Sequence, residues 1–386
     1  NTQSVRIVTT SRPVAFQLIL QLSKDFTMIR TAFIPLMLVA SMSHAAQTVK
    51  IYNWTDYFAP DTLKNFQKAT GIASTYDTYD SNSVLDAKLK ARNSGYDIVV
   101  PSSHFLARQV LRGDLKKLDR SQLPNWKYLN PVLLKTLAEA DPGNEHAFPY
   151  LWGTTGIGYN STKVKAVLGN DTPLNAWDLI LKPENIKKLA QCGVAVLDSA
   201  PDLVPIALNY LGLSPDSTTP DDYAKAKAVL LAIQPYVSSF NANDYGAALA
   251  SGKVCIAVGY SGDIMLAQHQ AKDEGKGVVI HYIAPKEGSP MWFDMVAMPV
   301  DAPDEKAAYA FMNYLLDPKV ISGISNYLHY PNGNEKSEGL VDADVHNDIG
   351  IYPDADTLTT LFAQNEIPAE IEALRLRVWH EVKAAK

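Results

Sequence analysis

Five short runs in the 386-residue sequence combine carboxylates, hydroxyls and aromatic rings. They are Trp54-Thr55-Asp56-Tyr57, Ser102-Ser103, Asp198 to Asp202, Tyr260-Ser261-Gly262-Asp263 and Trp292-Phe293-Asp294, and none contains Lys, Arg or His. Carboxylates beside ring faces suit an organic ammonium: they offer ion pairs to its charged heads and cation–π contact along the rings. Apolar ring walls would also bury a methylene stem. An anionic ligand would draw on Arg or Lys together with helix N-terminal amides, and these runs supply no such cation.

Each residue also has a structural use. Asp263 and Ser102 stand where helices begin and could serve as N-caps. Asp202 follows Pro201 and could complement a helix dipole in the first turn. Trp54, Tyr57 and Trp292 could be packing residues. Asp294 is harder to explain that way, because Phe293-Asp294-Met295-Val296 buries a carboxylate in an apolar run, which is costly unless the charge is paired.

Motifs for catalysis are weak. There is no GxSxG, GxGxxG or GxxxxGK[ST]. Gly259-Tyr260-Ser261-Gly262-Asp263 has the wrong spacing for a nucleophile elbow, and Gly153-Thr154-Thr155-Gly156-Ile157-Gly158 reads as a turn and an inter-lobe crossing. The eight histidines form no HExxH, and Asn53-Trp54-Thr55 is a short sequon of low specificity.

The elements that would position these runs alternate strand and helix. Val49–Trp54 reads as a strand, Asp61–Ala69 as a helix stopped by Gly71, and Ser81–Arg92 as a helix with Val84, Leu85 and Leu89 on one face. Tyr96–Val100 reads as a buried strand followed by a helix through Phe105, Leu106 and Val110. Val194–Leu197 and Val254–Val258 repeat the pattern, and Phe293–Pro299 is a further strand. Such alternation predicts an α/β protein with doubly wound, mostly parallel sheet and helices on both faces. Ligands of open α/β sheets bind beyond the carboxyl ends of the strands, where the first four runs fall; Trp292-Phe293-Asp294 stands instead at the opening of its strand.

Composition sets outer bounds. An apolar fraction of 47% and a charged fraction of 20% are those of a globular chain, and the length allows two domains. The net charge of −6 and pI near 5.8 argue against nucleic-acid binding through a broad basic face. Met28–Ala45 carries Arg30, an apolar stretch from Ala32 to Ala40 and small residues at Ser43 and Ala45, so residues 28–45 read as a signal peptide and 1–27 as a non-native upstream extension. Without Arg6, Arg12, Lys24, Arg30 and Asp25 the remainder is three charges more negative, a field favouring encounter with cations. Its apolar stretch is about half the roughly 20 residues that span a bilayer, so no membrane insertion of the mature chain is expected. Cys192 and Cys255 each stand at the start of a strand; a disulfide and two buried thiols both remain open, export favouring the bond.

Taken together, Ile51-Tyr52-Asn53-Trp54-Thr55-Asp56-Tyr57, Tyr96–Ser102, Leu151–Asn160, Gly259–Asp263, Phe293–Pro299 and Tyr330-Pro331-Asn332-Gly333-Asn334 resemble the periplasmic polyamine-binding proteins of ABC importers, over about Val49 to Lys383. The resemblance implies a two-lobed type II periplasmic binding protein fold, with lobe 1 at 46–152 plus about 282–325 and lobe 2 at 153–281 plus about 326–386. It implies amine-binding carboxylates at Asp263, Asp294 and Asp202, and ring walls from Trp54, Tyr57, Tyr260, Trp292 and Tyr330. Thr55, Asp56, Ser102 and Ala242 line up with further pocket positions. A Cys192–Cys255 disulfide is likewise implied. Asp202 stands where relatives often carry Glu, and Thr55 where Ser is usual, so the choice between putrescine and spermidine stays open. The expected role is a monomeric periplasmic binding protein that hands a small polyamine to ABC permease subunits, with no metal or organic cofactor. A polyamine sensor docking a receptor, and a secreted hydrolase, are the competing readings.

Overall fold

The computed structural model describes residues 47–275 and 277–385. The signal-peptide and upstream-extension readings lie outside the described residues. Ten strands form one mixed sheet in the order β2-β1-β3-β9-β4-β7-β5-β6, with β10 added on β9 and β8 on β4. They are β1 Thr48–Trp54, β2 Ala73–Tyr79, β3 Ile98–Val99, β4 Ala147–Asn160, β5 Val194–Leu197, β6 Ser239–Asn241, β7 Ile256–Tyr260, β8 Ile280–Ile283, β9 Pro290–Ala297 and β10 Phe362–Ala363. β1 pairs in parallel with β2 and β3, and β5 with β6 and β7. These are the strand–helix–strand units expected from the sequence. Antiparallel pairing enters through β9, against β3 and β4, and through β4, against β7 and β8.

β4 joins the two regions. Its residues from Ala147 to Thr154 pair with β9, and those from Thr155 to Tyr159 with β7. The Gly-rich run expected as a turn is therefore part of a fourteen-residue strand that is buried throughout, though it does make the crossing. Gly153 is needed there because a Cβ would lie 2.6 Å from Cζ2 of Trp292.

The apolar side chains pack in three clusters. Ile51, Ile98 and Val296 belong to one, and their neighbours Tyr52, Val99, Met295 and Ala297 to another, so the period-2 alternation fills both faces of β1, β3 and β9. The third cluster gathers β5, β7 and the second part of β4 with Ile371, Val378 and Trp379 of the final helix, Ala369–Ala384.

Local signals act largely as read. The first helix, Thr62–Thr70, stops at Gly71, whose left-handed φ of 74° lets its N–H reach the Gln67 carbonyl. Ser81 caps the helix Asn82–Lys90. That helix buries Leu85 and Leu89 but leaves Val84 45% exposed; Val84 lies one residue, about 100° round the helix, from Leu85 and falls off the inward stripe. Tyr96–Val100 is strand only at Ile98–Val99. Parallel β5 and β7 set Val194 beside Ile256, and Cys192 and Cys255 just before them form a disulfide with Cα atoms 5.4 Å apart. No described helix is long and apolar enough to cross a membrane.

Candidate functional site

Asp294 lies within β9, 5% exposed, and accepts hydrogen bonds from Ser102 Oγ at 2.6 Å and Tyr57 Oη at 2.7 Å. Ser102 occupies the N-cap position of the helix Ser103–Leu111 yet makes no side-chain cap. Its hydroxyl is turned to the carboxylate instead, while Asn82 brackets it with two 3.0 Å bonds, Nδ2 to the hydroxyl and Oδ1 from the backbone N–H. Burial is the main influence on Asp294 and pushes its pKa up to about 6, against the pull of the two hydroxyl donors.

Asp263 is the third residue of the helix Ser261–Asp273. It does not cap that helix: Tyr330 Oη donates to it at 3.0 Å, and Tyr245 Oη donates as well. Asp202 is the third residue of the helix Ala200–Tyr210 and is almost wholly buried. It accepts from Ser199 Oγ at 2.5 Å, Thr155 Oγ1 at 2.6 Å, Gln364 Nε2 at 3.0 Å and Tyr260 Oη at 3.3 Å. Burial raises both carboxyls above the usual range, and the donors oppose it. Among the described residues, none of the three carboxylates has a Lys, Arg or His ion-pair partner.

Aromatic rings link the carboxylates. Trp292 is met edge to face by Tyr260 at 5.6 Å and by Tyr330 at 5.2 Å, and Tyr330 meets Tyr57 at 6.2 Å. The phenol of Tyr260 is pushed well up by burial, then by Asp202, and further by Asp263 and Asp294. One ring thus feels all three charges. Trp292 Nε1 is buried with no hydrogen-bond partner among the described residues.

The remaining expected residues sit further out. Trp54 is half-buried, donates its indole N–H to the Val100 carbonyl at 3.0 Å and packs on Tyr79 at 4.7 Å. Thr55, Asp56 and Ala242 are exposed, and no bond joins them to the three carboxylates. Asp56 adopts a left-handed φ of 53° in the turn after β1. Asp198 is taken by the C-terminal helix, accepting from Trp379 Nε1 and Lys383 Nζ at 2.7 Å each. Thr155, Tyr245 and Gln364 hold the carboxylates directly, and Asn82 holds Ser102, without having been singled out in the sequence; Ser199 fell inside the Asp198 to Asp202 run. Nothing marks a Gln some 160 positions from its partner.

Buried carboxylates held only by neutral donors remain negatively charged when ionised, and an incoming cation would offset that cost. An α/β scaffold of this topology is the type II fold of the periplasmic binding proteins. A solved structure of the spermidine/putrescine ABC transporter substrate-binding protein PotD from Streptococcus pneumoniae superposes with a TM-score of 0.72 at 28% identity, covering 88% of this chain and 99% of that one. Residues 61–353 match the family of bacterial extracellular solute-binding proteins, and the chain belongs to that family. It is 48% identical over 350 residues to the putrescine-binding periplasmic protein SpuD of Pseudomonas aeruginosa, covering 90% of this chain and 95% of the relative. Against the putrescine-binding periplasmic protein PotF of Escherichia coli it is 47% identical over 349 residues, covering 90% and 94%.

Proposed function

We propose that the protein is a periplasmic, monomeric binding protein that captures a small alkyl polyamine, putrescine first among the candidates, and passes it to an ABC permease after export through a cleaved signal peptide. The observation that carries this reading is the set of three buried carboxylates, Asp202, Asp263 and Asp294, held by hydroxyl and amide donors around Tyr57, Tyr260, Trp292 and Tyr330 with no cationic partner among the described residues. Relatives named for putrescine share 47–48% of their residues with this chain. The structure named for spermidine and putrescine shares 28%.

In this reading the halves 46–152 with about 282–325, and 153–281 with about 326–386, close on the ligand. Separate apolar clusters support independent movement: Tyr57 and Val296, near Asp294, lie in one, and Leu203 and Ile264, beside Asp202 and Asp263, in another, while Leu328 and Tyr330 of the second half pack with the first. Bridging both sides, a diamine would select the closed population. Its ammonium groups replace water with Asp263 and Asp294, while its methylenes lie along Trp292 and Tyr260. Thr55 and Asp56, exposed at the rim after β1, would meet ligand during entry. Titration of ligand-stripped protein with putrescine, spermidine, agmatine and glutamate in a calorimeter tests the reading. Saturable binding of the diamine and none of glutamate is expected; binding of glutamate alone would overturn it.

A further inference from the structure

We propose that Arg108 and Arg375, two arginines outside the carboxylate site, set the balance between open and closed protein with opposite signs. The inference rests on the closure described above. Arg108 lies on the helix Ser103–Leu111, which begins beside the Ser102 that holds Asp294 and buries Leu106 in the Tyr52 cluster. Its guanidinium reaches across to elements of the other cluster: Nη1 donates to Glu372 Oε2 at 2.7 Å, and Nε stands at an ion-pair distance of 3.4 Å from Glu366 Oε1 without a hydrogen bond among the described residues. Glu372 belongs to the helix Ala369–Ala384, and Glu366 lies two residues beyond the Gln364 that donates to Asp202. Both ends of this clasp therefore continue segments that carry site residues. Arg108 is 18% exposed and stacks 4.4 Å from the Phe105 ring, so it is held more firmly than a freely solvated side chain.

Arg375 is the counterweight. It lies three residues after Glu372 on the same helix, is only 6% exposed, and has no ion pair among the described residues. Among the described residues its Nε has no hydrogen-bond partner, and its Nη2 donates to the Pro215 carbonyl at 3.4 Å. Nearby His104 offers no charge: burial, then Arg375 and Arg108, push its pKa down to about 3, and both its ring nitrogens lack partners. A buried, unpaired guanidinium is costly. Withdrawal of the helix Ser103–Leu111 takes Arg108 off Glu372, which is then free for Arg375 at the favourable i,i+3 spacing. Closing thus forms one ion pair and strips another, leaving ligand to decide the outcome.

The test measures putrescine affinity and dissociation rate by calorimetry and stopped flow, and the radius of the ligand-free protein by small-angle scattering, for wild type, Arg108→Ala, Arg108→Lys, Arg375→Met and Glu366→Gln. Arg108→Ala should raise Kd roughly fivefold to tenfold through faster dissociation and expand the free protein, with Arg108→Lys recovering part of the loss. Arg375→Met, which keeps the apolar stem, should lower Kd by roughly threefold or more and compact the free protein. Weakening by both arginine variants, or an Arg108→Ala protein indistinguishable from wild type, overturns the proposal. Should Arg375→Met not fold, Glu366→Gln decides: unchanged dissociation refutes the clasp and faster dissociation supports it. Failure of wild type to bind putrescine would overturn the ligand reading alone; opposite changes in radius for the two arginine variants would still support the balance, and like changes would refute it.

Discussion

Tyr57 and Tyr330 meet edge to face, ring centroids 6.2 Å apart, and their hydroxyls end on different carboxylates, Asp294 and Asp263. The two acids are thereby tied into one aromatic assembly although they stand on a strand and a helix 31 positions apart. In the proposed function a short dication would find one acid for each head with rings between them.

Neutralising either acid should be costly to binding and mild for folding. Asp263→Asn or Asp294→Asn should weaken putrescine by about 2–5 kcal/mol, the usual penalty for removing one partner of a buried charge pair. Far-ultraviolet circular dichroism should be unchanged, because Asn keeps the shape and one acceptor oxygen, its partners are hydroxyls that can turn to accept, and a buried charge is removed. Calorimetry giving wild-type affinity for both variants would remove these residues from the site.

The raised pKa of Asp294 predicts that binding depends on pH. Its folded-state value of about 6 exceeds the ordinary 3.8, so the folded protein holds this proton more tightly than the unfolded chain. The resulting stabilisation, about 3 kcal/mol, is fully present below pH 4 and is lost as pH rises through 6. Above pH 6 the ionised acid is unfavourable in the free protein and available to an ammonium. Putrescine affinity should therefore fall roughly tenfold between pH 7.5 and 5, with Asp202 and Asp263 shifted in the same direction. A flat affinity profile from calorimetry across that range would contradict the burial of Asp294.

Trp292 should govern which amine is preferred. Trp292→Ala removes the ring that Tyr260 and Tyr330 both abut and should change the ratio of spermidine to putrescine affinity as well as lower both. Gly153→Ala offers an independent route, since the new methyl would displace the indole without deleting it. Competition binding with the two amines reads the ratio; an unaltered ratio in both variants would make the ring simple packing.

The disulfide should contribute to stability and not to recognition. Cys192 and Cys255 enclose a separation of 63 residues, for which the loop-entropy argument gives about 4 kcal/mol. A Cys192→Ser/Cys255→Ser protein should unfold at clearly lower urea concentration while binding putrescine normally at 25 °C. Loss of affinity in proportion to stability would show the bond to shape the site.

Much of this was readable in the residues. Strand–helix alternation, Gly71 as a stop and the lone Asp in Phe293-Asp294-Met295 are local signals, and local physics decides them. What escaped was long-range. Ser102 stands at a helix start and could have capped it; only its distance to Asp294, 192 positions on, shows the hydroxyl used elsewhere. Thr155 and Gln364 become ligands of Asp202 only once β4 and the segment after β10 are in place. The glycines of β4 resembled a turn because their reason, close approach of Trp292 and Ile264, comes from other elements.

β4 sets a limit on how the chain can be dissected. Ala147 to Thr154 complete one strand arrangement and Thr155 to Tyr159 another without a break in the backbone. A gene truncated on either side of this segment would encode a fragment with a raw sheet edge. Sensor engineering with this scaffold should therefore insert its reporter in surface turns and leave the shared strand whole.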